Sequence, residues 1–224
     1  METGNVAGLA RGAERRLALR YAPSAAYPAL EALFALDDTL AAILRTTREP
    51  LVGQMRLTWW YEALGRLDEA PAPAEPVLAA LQALVLPGGV TGTMLASLTD
   101  GWEALLEPVL GDAAIDTFAR DRGGRLFEFA GMLLGVADPR IAMAGKGWAL
   151  ADLSQRLSDA DARTSAATRG ATLLDDALRG RWPQHARALG AMALAARFDV
   201  AVPLTPPGSP KRVGRLLLHR LTGY

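Results

Sequence analysis

Asp37 and Asp38 sit where carboxylates are costly. Leu30, Leu33, Phe34, Leu40 and Leu44 form an apolar stripe at helical spacing, Asp37 falls in the middle of it, and Asp38 is next to it. A carboxylate on an apolar face must be ion-paired, hydrogen-bonded, metal-bound or neutralised. Two chemistries follow. One is a Mg²⁺ or diphosphate site built on Asp37 and Asp38. The other is a buried ion pair with Arg56 or Arg45, kept for packing specificity rather than net stability, and this pairing is the expectation. Arg56 carries the same duality: a guanidinium grips phosphate bidentately, but it can equally pair with Asp37 or stack on Trp60. Trp59 and Trp60 suit either a hydrophobic ligand cavity or packing between helices, and packing is the expectation.

Asp152, Arg156, Asp159 and Arg163 alternate in sign at four-residue spacing, which reads as a salt-bridge ladder along one solvated helix face. Gly123-Gly124, with Arg120, Arg122 and Arg125 around it, lacks the Gly-x-x-x-x-Gly-Lys-Ser/Thr pattern of a phosphate loop. A kinked or broken helix is expected there. His185 and His219, the two histidines, read as surface or helix-end residues. His219 lies in a basic last segment with Arg212, Arg215 and Arg220, which also holds Val213, Leu216, Leu217 and Leu221. That mixture describes an amphipathic basic helix, either docked on the domain or in contact with an acidic membrane or a partner.

The elements that must position these residues are helices. Strong helix formers dominate and β-branched runs are nearly absent. Proline and glycine breaks leave helices near 5–20, 24–48, 51–67, 74–85, 92–109, 113–135, 140–160, 165–180, 184–198 and 210–221. The helix at 51–67 has two apolar stripes, Leu57, Trp60, Leu64 and Leu67, and Val52, Met55, Trp59 and Ala63. It is expected to be buried on two sides.

The 224 residues suit one domain, here 1–202, with a Pro-rich loop and basic terminal helix at 203–224 docked on it. Lys+Arg and Asp+Glu balance at 24 each, which argues against a nucleic-acid binder. The absence of cysteine excludes disulfides, iron–sulfur clusters and thiol catalysis. The longest uncharged stretch, 76–99, is broken by Pro87-Gly88-Gly89, so no membrane-spanning helix is expected. The N-terminus has no apolar core of a secretory signal. A cytoplasmic protein is expected, with peripheral contact at the inner membrane as a further option.

Four stretches, in order, resemble the squalene/phytoene synthase family: Ala32-Leu33-Phe34-Ala35-Leu36-Asp37-Asp38; Gln54-Met55-Arg56-Leu57-Thr58-Trp59-Trp60 with Glu62-Ala63-Leu64; Glu75-Pro76-Val77; and Gly145-Lys146-Gly147-Trp148-Ala149. The resemblance covers roughly residues 18–160. It implies an all-α isoprenoid-synthase-like bundle around a central cavity and, for catalytic members, head-to-head joining of prenyl diphosphates. Such catalysis implies two aspartate-rich motifs on facing helices, each with carboxylates four residues apart that hold Mg²⁺ against diphosphate.

This chain departs from that pattern. Ala41 and Ala42 stand four residues after Asp37 and Asp38, and Arg156 stands four after Asp152. The Arg-Tyr-Leu-Pro-like segment expected downstream is replaced by Ala162-Arg163-Thr164-Ser165-Ala166-Ala167-Thr168. Trp182-Pro183, Arg187-Ala188-Leu189-Gly190 and the segment from Arg212 to Tyr224 resemble instead the family's degenerate branch, the complex I assembly factors. The expectation is therefore a non-catalytic binding or assembly protein with no cofactor. Its partner would be a respiratory complex I subunit or an isoprenoid-like lipid. The alternative is an active prenyltransferase using Mg²⁺, with Asp37 and Asp38 as metal ligands and catalytic groups together with Arg56. Arg56, Trp59, Trp60 and Asp152 are the substrate-binding candidates.

Overall fold

The computed structural model describes residues 2–47, 49–107 and 110–224, with side chains from residue 8 onward. Every regular element among them is helical. Helix α1 (Glu2–Leu19) is followed by α2 (Tyr27–Thr46) and α3 (Pro50–Gly65); Pro28 and Pro50 fall in the first turns of α2 and α3, where a missing N–H costs nothing. Next come α4 (Pro76–Ala80), α5 (Gly92–Ala96) and α6 (Leu98–Glu103). Asp68 accepts from the backbone N–H groups of Gly92 (2.7 Å) and Thr93 (3.1 Å) at the start of α5. Helix α7 (Asp112–Thr117) runs through a π-helical stretch, Phe118–Gly124, into α8 (Arg125–Leu133). Helices α9 (Arg140–Ser154), α10 (Ala160–Ala177), α11 (Arg187–Asp199) and α12 (Pro210–Thr222) complete the chain.

Helix α9 is the axis of the bundle. It packs against α8, α10, α11 and the π-helical stretch. That last contact depends on glycine: a Cβ on Gly123 would run into the carbonyl oxygen of Gly145, and a Cβ on Gly145 into that of Gly123. The two backbones therefore meet with nothing between them. The core around this crossing is built from Phe34, Phe127, Leu126 and Leu150, all at most 2% exposed.

Several expectations need correction. The Gly123-Gly124 helix is neither broken nor a loop; it stays continuous by widening to a π-turn. The predicted helix at 92–109 is subdivided, with Ser97 between α5 and α6; its end at Pro108 and Val109 lies outside the described residues, as does Arg48. Helix α3 is not buried on both sides: Val52, Met55 and Trp59 are exposed, while Leu57, Trp60, Ala63 and Leu64 are buried. Of the second stripe only Ala63 finds cover among the described residues.

Of the ladder from Asp152 to Arg163 only the first rung forms, Asp152 with Arg156. Helix α9 stops at Ser154, and Asp159 is the N-cap of α10, accepting from Ala162 N at 2.8 Å. His219 is a helix-end residue, in the last turn of α12, but it is not at the surface. It is 1% exposed, on the inner side of α12 against Gly190 and beside Trp182. The terminal helix α12 packs on α11. None of the described helices is long and apolar enough to cross a membrane.

Candidate functional site

The end of α9, the C-terminal half of α2 and the π-turn converge on one guanidinium. Arg122 donates from Nε to Asp37 Oδ1 (2.8 Å), from Nη2 to Asp37 Oδ2 (2.9 Å) and from Nη1 to Asp152 Oδ2 (2.6 Å). Arg122 and Asp37 are each 3% exposed, and Asp152 is 25% exposed. Aromatic rings enclose the cation: the guanidinium carbon lies 4.3 Å from the Trp102 ring centroid, 4.5 Å from Trp148 and 5.0 Å from Phe118. The ring faces supply further electrostatic attraction. Phe34 meets Trp148 and Phe127 edge-on and closes the aromatic layer behind.

The π-turn has a purpose here. Arg122 sits in the widened stretch, and the glycine that follows it lets α9 approach closely enough to present Asp152. Burial works against charge on Arg122, but Asp37 and Asp152 outweigh it and raise its pKa. Burial likewise opposes ionisation of Asp152. The Arg122 and Arg156 guanidiniums outweigh that as well and hold its carboxyl below the ordinary range. Arg122 and Asp152 are therefore both charged at neutral pH.

A cleft of about 410 Å³ opens beside this junction, between α1, α2, α9 and α11. Arg11, Arg15, Arg45, Arg122, Arg156 and Arg212 face it, with Glu14, Asp38, Asp152 and Asp199; Ala41, Trp148, Ala151, Met192, Ala195 and Ala196 provide the apolar part. Asp38 points away from Asp37, as neighbours on a helix must. It stands at the cleft wall, half exposed, with Arg15 Nη1 donating to its Oδ1 at 2.8 Å. Arg156 closes on Asp152 Oδ1 at 2.8 Å.

The structure thus separates the sequence candidates. It brings Asp37 and Asp152 together, with Asp38 alongside. It takes Arg56 elsewhere: Arg56 is exposed and donates to the hydroxyls of Thr46 (3.1 Å) and Thr47 (2.9 Å) at the end of α2. Trp60 is buried and Trp59 is half exposed, the two rings meeting edge-to-face, and neither lines the cleft. The expected partners of Asp37 were Arg56 and Arg45. Among the described residues neither pairs with it, because Arg122 already takes both of its oxygens.

Arg122 was visible in the sequence only as a flank of Gly123-Gly124. A signal was present: Ile115, Phe118, Arg122, Leu126 and Phe129 recur at helical spacing, so Arg122 interrupts an apolar stripe just as Asp37 does. Two opposite charges, each stranded on an apolar face, are natural partners.

The Mg²⁺ of catalytic relatives needs several free carboxylate oxygens. Among the described residues no group of three or more potential metal ligands converges. The two carboxylates that do converge spend all four oxygens on guanidiniums, Asp37 on Arg122 and Asp152 on Arg122 and Arg156. This donor set does not fit the ion.

The squalene/phytoene synthase family model matches residues 10–166, which include α2, the π-turn and α9. No curated protein and no solved structure matches the chain.

Proposed function

The chain belongs to the squalene/phytoene synthase family, and we propose that within it this protein has exchanged metal-diphosphate chemistry for binding. One observation carries the reading: Arg122 stands between Asp37 on α2 and Asp152 on α9, where the family resemblance implies Mg²⁺. A covalently tethered cation satisfies the carboxylates without an exchangeable ion. Unlike Mg²⁺ it has no open coordination position for a leaving diphosphate. The junction ties α2 to α9 and shapes the cleft, whose charged wall would receive a partner segment or a lipid-like molecule. Within that reading the protein is an assembly factor, with respiratory complex I as the assembly it serves.

The test is direct. The full chain with farnesyl or geranylgeranyl diphosphate and excess Mg²⁺ is expected to release no diphosphate. Mg²⁺-dependent release that disappears in Asp38→Asn would establish the prenyltransferase alternative instead. Separately, loss of the gene product is expected to lower complex I content, and unchanged content would remove the assembly role while leaving the absence of turnover untouched.

A further inference from the structure

Helix α12 is mounted with Arg212 and His219 inward beside Leu216, and with its other three leucines outward. Its buried residues are Arg212, Leu216 and His219, whereas Leu217, Leu218 and Leu221 are 44%, 45% and 75% exposed. A helix docked only to complete a core presents the opposite face.

The arrangement is locked rather than slack. Arg212 donates to Glu14 Oε2 (2.5 Å), Asp199 Oδ1 (2.8 Å) and the carbonyls of Ala195 (3.1 Å) and Thr205 (3.2 Å). At the other end Trp182 N donates to the Gly223 carbonyl at 2.8 Å, and Arg187 Nη1 to the Arg220 carbonyl at 2.7 Å. Rotating the helix to hide its leucines would break every one of these bonds.

On a 3.6-residue period Gly214, Leu217, Leu218 and Leu221 share the outer face. Lys211 and Arg215 border one edge and Arg220 the other. No Asp or Glu occurs after Asp199. Among the described residues Arg212 is the only cation of α12 with a carboxylate partner. The outer surface is therefore three leucines framed by cations that have no carboxylate partner among the described residues, on a chain whose overall charge is zero.

We propose that this face is a docking surface for an anionic phospholipid bilayer, with α12 lying in the interfacial plane. Leucines below the headgroups and Lys/Arg at their level are what such a helix requires, and acidic lipid supplies the counter-charge. A second copy of the chain fits worse, since it would set these cations against each other. The proposal is independent of whether the cleft has lost turnover.

Flotation of the full chain with phosphatidylcholine vesicles, with and without phosphatidylglycerol, tests it. The chain partitions onto the anionic vesicles only, and raised salt releases it. The pair Lys211→Glu and Arg215→Glu lowers partitioning by at least roughly tenfold. Leu217→Ser with Leu221→Ser abolishes it while the chain keeps its helical circular dichroism, since neither side chain belongs to the core. No partitioning onto anionic vesicles, or partitioning indifferent to both pairs, overturns the proposal. So does a dimer, seen by light scattering, that the leucine pair dissolves, since a second copy would then cover the face.

Discussion

Two arginines among the described residues, Arg122 and Arg212, are closed off from water, and they are buried differently. Arg122 sits among aromatic rings, and its two carboxylate partners have every oxygen engaged. Arg212 is held by Glu14, Asp199 and two backbone carbonyls, but among the described residues its Nε has no partner, and neither has either ring nitrogen of His219 on the same helix. The first junction lies at the helix crossings that form the core. The second fastens a terminal helix to α1 and α11. Burying a charge pair rarely adds net stability, because desolvation consumes the attraction. What these pairs supply is specificity: one sets how α2 meets α9, the other which way α12 faces. Full satisfaction marks the junction that orders the core, and incomplete satisfaction marks the one at the periphery.

The contrast can be broken most severely at Arg122. Arg122→Ala leaves Asp37 buried without its cation and Asp152 with Arg156 alone, and is expected to cost about 3–5 kcal/mol in urea unfolding. Combining Arg122→Met with Asp37→Leu removes charge from both sides and should recover much of that loss. A single-variant cost under about 1 kcal/mol would show that the core does not depend on this pair. Arg212→Ala is expected to cost less, about 3 kcal/mol: it too leaves one carboxylate, Glu14, unpaired while Asp199 keeps Arg11 at 3.2 Å, but it gives up one aromatic contact where Arg122 gives up three. Hydrogen exchange should then quicken in α12 and leave α9 protected.

The titration of His219 sharpens the difference further. Burial lowers its pKa, so the unfolded chain takes up a proton near pH 6.5 while the folded chain does not. Stability is therefore complete above that pH and declines as pH falls below it. Asp152 is depressed as well, but as a carboxylate: its contribution is present above about pH 3.9 and is lost only as pH drops through its lowered value. Urea midpoints at pH 7.5 and 5.5 should differ in the wild-type chain, and His219→Leu should reduce that difference. A slope that survives the substitution intact would place the titration elsewhere. The smallest effect belongs to Trp59→Ser, which touches neither junction. It is half exposed, and its change in stability should stay within about 0.5 kcal/mol.

Much of the fold was legible because helix periodicity and proline breaks are local properties. The ten predicted helical segments each correspond to helix in the structure, with boundaries displaced where capping decided them: Asp159 caps α10 rather than extending α9. The oddity of Asp37 was legible too, since a carboxylate in a leucine stripe conflicts with its neighbours whatever the fold. Its partner was not. Arg122 lies 85 residues away, and nothing at that separation is written into periodicity. Likewise the stripe of Val52, Met55 and Trp59 signals that α3 is apolar, but not that these three side chains stay exposed among the described residues.

By itself the amino-acid sequence settled the all-helical class, the family resemblance and the presence of a carboxylate needing compensation, because each rests on residues near one another in the chain. Which cation meets that carboxylate, and which face of α12 meets water, were decided only by tertiary packing. Both depend on how closely α9 approaches the π-turn and how α12 is pinned to α1 and α11, and those distances arise only when the helices assemble.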